Sequence, residues 1–105
     1  MSVRLNRDNF EEIVLKNEKT VLVDFYSDSC GPCRRVSSML AELEENCSDQ
    51  LVVGKVNIAY EKELTEQYKV RSVPTLILFK NGIQKEALRG AKIGGDLEGQ
   101  IKALL

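Results

Sequence analysis

Val21-Leu22-Val23-Asp24-Phe25-Tyr26-Ser27-Asp28-Ser29-Cys30-Gly31-Pro32-Cys33-Arg34 is the stretch from which the rest of the 105-residue chain can be read. Its first six residues are a continuous β-branched and aromatic run, of the kind that sits mid-sheet with both faces covered. One charged residue, Asp24, interrupts that run. The second half carries two thiols separated by two residues, where the apolar run stops and a helical pattern begins. Pro32 suits the first turn of a helix, where its missing N–H is no loss and its fixed φ is already helical. Cys30 then falls at the helix edge and Cys33 just inside it. Unpaired N–H groups and the positive end of the helix dipole favour thiolate over thiol there, so Cys30, the outer of the two, is the candidate nucleophile. Helical Cα atoms three residues apart lie about 5 to 5.5 Å from one another, inside the ~4.4 to 6.8 Å that a disulfide requires. The pair can close and reopen with little movement of the backbone.

Downstream, Val36, Met39, Leu40, Leu43 and Cys47 recur at helical spacing, with Arg34, Arg35, Ser38, Glu42 and Glu45 elsewhere on the wheel. This predicts an amphipathic helix of about four turns. Upstream, Val3 to Leu5 reads as a short strand, and Asn6 precedes a helical segment with Phe10, Ile13 and Val14 that ends near Asn17. Residues 51–58 read as a strand carrying Lys55, and 61–68 as a shorter helix with Leu64 and Tyr68 inward. Val73-Pro74 introduces a strand at Thr75–Lys80, with the proline tolerated at its start. Asn81-Gly82 is a strong hairpin signal, so Ile83–Leu88 should fold back antiparallel, with Gly90-Ala91 ending it. Leu97, Ile101, Leu104 and Leu105 mark a last helix, weakened by Gly99 at a cost of about 1 kcal/mol relative to alanine. The order βαβαβαββα predicts one α/β domain over residues 1–105, a central mixed five-stranded sheet with four helices on its two faces.

Composition narrows the chemistry. Fifteen Lys and Arg stand against sixteen Asp and Glu, with neither sign gathered into a long run, so neither nucleic acid nor a membrane is expected as a partner. The charged first twenty residues leave no room for the apolar core of a signal peptide, which suggests a cytoplasmic protein. Three cysteines are too few for a secreted disulfide framework and fit a reducing compartment with one redox or metal motif. There is no histidine, so any acid or base must be a carboxylate, a lysine or a thiol. The same absence leaves Cys30 and Cys33 as at most half of a zinc site, for which a second chain would have to supply ligands. Cys47 lies about 21 Å along the helix from Cys33, too far for a disulfide, and its place on the apolar stripe points to core packing.

The chain resembles the thioredoxin family over essentially its whole length. The motifs are Val23-Asp24-Phe25-Tyr26, Cys30-Gly31-Pro32-Cys33, Lys55 in the third strand, Val73-Pro74-Thr75, Phe79-Lys80-Asn81-Gly82 and Gly90-Ala91, in that order. The Cys-x-x-Cys spacing and a lowered thiol pKa are both known attributes of that family and are not independent support for it. The resemblance implies the thioredoxin fold and a protein-disulfide oxidoreductase in which Cys30 attacks a target disulfide and Cys33 resolves the mixed disulfide. No bound cofactor is implied. A thioredoxin reductase-like enzyme, a flavoprotein drawing on NADPH, would restore the dithiol of a monomeric chain. Asp24 is the expected proton acceptor for Cys33, its pKa raised by burial and pulled back by Lys55. Pro74 resembles the family's cis-proline facing the disulfide, leaving the Val73 backbone free to pair with an extended substrate segment. Ser29, Gly31, Pro32, Val73, Pro74, Gly90 and Ala91 would outline the docking surface.

The sequence departs from the family in three places. Ser29 stands where tryptophan is usual, Ser38 where many members carry a helix-kinking proline, and Ala59 where an acidic residue is common. The change at Ser29 bears on recognition of partners, and it makes a specialised reductase a credible reading beside a general one. A non-catalytic binding or assembly module, docking partners through the Cys30 face, is the alternative from a different class.

Overall fold

In the computed structural model, which describes residues 2–105 apart from the side chain of Ala91, the apolar run forms β2 (Thr20–Tyr26), the central strand of a five-stranded sheet. The other strands are β1 (Val3–Arg4), β3 (Leu51–Asn57), β4 (Thr75–Lys80) and β5 (Ile83–Leu88), in the spatial order β1-β3-β2-β4-β5. β3 runs parallel to β1 and β2, whereas β4 is antiparallel to β2 and β5 to β4. Four helices flank this mixed sheet: a short one of π type (Glu11–Leu15), α1 (Gly31–Asn46), α2 (Lys62–Gln67) and α3 (Leu97–Leu104). A single 3-10 turn, Gly90–Lys92, joins β5 to the last of them.

The two-residue alternation of strands sorts the core into two clusters, one on each face of the sheet. Val21, Val23 and Phe25 of β2 pack with Phe10, Val14 and Leu64 beneath the π-type helix and α2. Leu22 of β2, Val53 of β3 and Leu76 and Leu78 of β4 pack with Leu40 and Leu43 of α1 and Ile101 of α3. By the same alternation Asp24 falls with Leu22, and Lys55 with Leu51 and Val53, on the face that α1 covers. Each fully buried aliphatic or aromatic side chain contributes about 1.5 to 3 kcal/mol. The neighbours of Asp24 in β2 therefore outweigh the cost of burying one carboxyl.

Local chemistry explains where elements stop. The first helix ends at Leu15, close to the expected end near Asn17, and closes with Lys16 donating its N–H to the Glu11 carbonyl at 3.0 Å. Asn17 then diverts the chain, its Nδ2 donating to the Ile13 carbonyl and its Oδ1 accepting from the Lys19 N–H, both at 3.0 Å. β3 ends at Asn57 rather than residue 58, because Asn57 Oδ1 accepts from the Ala59 N–H at 2.9 Å and turns the backbone. Lys69, at φ 55°, follows α2 in the left-handed conformation typical of a helix end. Asn81 and Gly82, at φ 52° and 78°, take the left-handed pair of values that a tight two-residue hairpin needs. Cys47 terminates α1, half-buried against the α1 and α3 cluster, and is a free thiol.

Candidate functional site

The site forms where β2 hands over to α1. Cys30 caps the helix in extended conformation, Gly31 and Pro32 fill the first turn, and Cys33 follows. Cys30 Sγ accepts the backbone N–H of Cys33 at 3.2 Å, so one of the orphan donors of the helix terminus points at the outer sulfur. A thiolate at this atom would gain both that hydrogen bond and the field of the helix dipole. The two cysteines are joined in a disulfide with Cα atoms 5.3 Å apart, inside the range expected from helical spacing. Their exposures differ: Cys33 is buried, with 4% of its surface accessible, whereas Cys30 is half-exposed. A target disulfide can reach Cys30 more readily than Cys33.

Asp24 has none of its surface exposed, and neither carboxylate oxygen has a hydrogen-bond partner among the described residues. Burial pushes its pKa from the ordinary 3.8 up to about 6, with the Lys55 charge pulling the other way. Asp24 and Lys55 are direct register partners across β2 and β3, and Leu76 of β4 is the partner on the other side. The Lys55 ammonium donates to Ser37 Oγ at 2.6 Å and stands 4.6 Å from the centroid of the Tyr26 ring.

Two grooves open beside the disulfide. The larger, of about 670 Å³, brings Pro32, Val73, Pro74 and Gly90 together with Met39 and Ile93. The peptide bond between Val73 and Pro74 is cis. The second groove, of about 650 Å³, is more polar and brings Cys33 and Lys55 together with Tyr26, Arg34, Ser37 and Ser38. Ser29 and Gly31 are exposed and line neither groove. The backbone of Ala91 belongs to the 3-10 turn, and its side chain lies outside the described residues. Among the described residues, no group of three or more His, Cys, Asp or Glu side chains is gathered as a metal ion would need.

The sequence reading passed over Ser37, Tyr26, Met39 and Ile93 as parts of the site. Ser37 had one available signal: it lies four residues after Cys33, hence on the same stripe of α1. Glu44 gave none, since a charged residue on the buried side of α1 breaks the apolar pattern. Its Oε2 accepts the Val53 N–H at 2.7 Å and ties the helix to β3.

Residues 1–103 match the family model described as Thioredoxin. The chain is 41% identical over 98 residues to the thioredoxin of Acidithiobacillus ferridurans, covering 93% of this chain and 87% of that protein. It is 38% identical over 104 residues to the thioredoxin of Alicyclobacillus acidocaldarius, covering 99% and 98% of the two. A third relative, the chloroplastic M-type thioredoxin of Spinacia oleracea, is 36% identical over 101 residues, 96% of this chain and 56% of that protein.

Proposed function

The chain belongs to the thioredoxin family and is a dithiol–disulfide oxidoreductase, and within that chemistry we propose that Cys30 attacks, Cys33 resolves and Asp24 accepts the proton that resolution releases. The observation that carries this reading is the asymmetry of the pair: Cys30 is half-exposed and bonded to a helix N–H, while Cys33 is buried.

In the first step the Cys30 thiolate forms a bond to one sulfur of a target disulfide. The target's S–S bond breaks and its second sulfur leaves as a thiolate, which takes a proton from water. In the second step the Cys33 thiol gives its proton to the Asp24 carboxylate and attacks Cys30 Sγ. The mixed disulfide breaks, the target sulfur that was bonded to Cys30 leaves as a thiolate and takes a proton from water or from the Asp24 carboxyl, the target departs as a dithiol, and Cys30 and Cys33 are oxidised. Two electrons have passed to the target. With no histidine in the chain and Asp24 titrating near pH 6, that carboxyl is suited to exchange a proton near neutrality.

The groove of Pro32, Val73, Pro74 and Gly90 is suited to an extended segment of the target, which would pair with the Val73 backbone as an added strand. Ser29, exposed and directly before Cys30, would bias which partners dock. The chain works as a monomer in the cytoplasm on disulfide-containing proteins, without nucleic-acid or membrane partners, and a flavin reductase drawing on NADPH restores the dithiol. Balanced charge and sparing cysteine use support this setting. No helix among the described residues is long and apolar enough to cross a membrane.

The test is reduction of a model protein disulfide by dithiothreitol with catalytic amounts of the chain. Wild type should accelerate it, Cys30→Ser should abolish the acceleration, and Cys33→Ser should accumulate mixed disulfides through Cys30. Trapping that required Cys33 instead would reverse the two roles, and equal rates with and without wild type would leave only a binding module.

A further inference from the structure

Opposite charges that face each other across a ladder ordinarily pair, and Asp24 and Lys55 do not. They are register partners of β2 and β3 and share the face beneath α1. Yet the Lys55 ammonium is bonded to Ser37 Oγ at 2.6 Å and set against the Tyr26 ring at 4.6 Å, while both Asp24 oxygens lack a hydrogen-bond partner among the described residues. The helix makes this possible. Ser37 lies one turn beyond Cys33 on the same stripe of α1, so its hydroxyl reaches down toward β3 beside the groove onto which Cys33 opens.

We propose that Ser37 is a positioning residue: its hydroxyl, together with the Tyr26 ring, holds the Lys55 ammonium away from the Asp24 carboxyl and toward the polar groove at Cys33. A cation satisfied by a neutral hydroxyl and an aromatic face acts on the carboxyl only through its field and not through a direct ion pair, so Asp24 keeps its proton to higher pH than a paired carboxyl would. Other ionisable groups around the pair are few. α1 supplies Cys33 and Arg34, the loop after β2 supplies Asp28, and β2 itself supplies Tyr26. Arg4 of β1 is the other register partner of Lys55, and β4 offers Asp24 only the apolar Leu76. Removing the hydroxyl frees an N–H donor of Lys55, and the carboxyl beside it on the ladder is the acceptor it would take.

For its consequence in catalysis, though not for its geometry, this inference rests on Asp24 being the proton acceptor. The experiment separates the two. In the oxidised full-length chain, where no active-site thiol titrates, the Asp24 carboxyl is followed by carbon NMR with labelled aspartate in wild type, Ser37→Ala and Ser37→Thr. Ser37→Ala should lower the Asp24 midpoint by about one pH unit, as a newly adjacent cation does. Ser37→Thr, which keeps the hydroxyl, should restore it. A midpoint unchanged or raised in Ser37→Ala, or a threonine variant that behaves like alanine, would overturn the proposal. The pH profile of mixed-disulfide resolution is measured alongside. A profile that moves with the carboxyl supports the full inference; a carboxyl that moves while the profile stays still leaves Ser37 positioning Lys55 and removes Asp24 as the acceptor.

Discussion

Asp24 is wholly buried and ionisable, so its charge works against the fold it sits in. Burial raises its folded-state pKa from 3.8 to about 6. Below about pH 4 the carboxyl is neutral in both the folded and unfolded chain, and its ionisation takes nothing from stability. Between about pH 4 and 6 the unfolded chain ionises first, so stability falls as pH rises, and above about pH 6 the full difference of about 3 kcal/mol remains. Asp24→Asn should therefore raise stability by about 3 kcal/mol at pH 8 and by little at pH 4, read from urea unfolding of the oxidised proteins. Equal gains at both pH values would mean that ionisation is not the cause. The same substitution should slow resolution of the mixed disulfide while leaving attack by Cys30 largely intact, measured by stopped-flow with a disulfide substrate. In wild type the resolution rate should climb through about pH 6 as the carboxylate forms, and that climb should vanish in the variant. Both outcomes together would make Asp24 a residue that trades stability for activity.

The β4–β5 hairpin illustrates how an element depends on one backbone position. Gly82 holds φ 78°, and a Cβ there would run into the backbone carbonyl of Leu15 at the end of the π-type helix. The turn is therefore locked both by its own conformation and by a neighbouring element. Gly82→Ala should cost about 1 to 3 kcal/mol, more than the left-handed conformation alone, because the obstacle is backbone and cannot rotate aside. A lower urea midpoint at unchanged slope would register this, and a loss of a few tenths of a kcal/mol would show that the helix end simply yields. α1 depends instead on its first turn. Cys30 serves as the cap, so the residue that begins the helix is also one of the two joined in the disulfide.

At the scale of the whole molecule, the two core clusters share strands: β2 and β4 each send alternate residues to both faces. Phe10→Ala beneath one face and Leu40→Ala beneath the other should each lower stability by about 2 to 5 kcal/mol within a single unfolding transition, followed by calorimetry. Two separate transitions would mean that the faces unfold independently. The succession of elements along the chain and the handover from β2 to α1 were legible in the sequence because they rest on local signals: an apolar run, Pro32 in a first helical turn, Asn81-Gly82, and spacing that follows 2.0 or 3.6 residues. The side-chain bonds by which Asn17 closes the first helix were not, since they depend on where the chain goes after it leaves the helix. Cys30, Cys33, Asp24 and Lys55 could be named from residue types and family motifs, and the sign of each influence on Asp24 was already fixed by burial and charge. Only the tertiary structure decided where the Lys55 ammonium goes. Ser37, Asp24, Tyr26 and Lys55 lie on three different elements, and a hydrogen bond of 2.6 Å between two of them depends on how α1 is seated on the sheet, which no local pattern encodes.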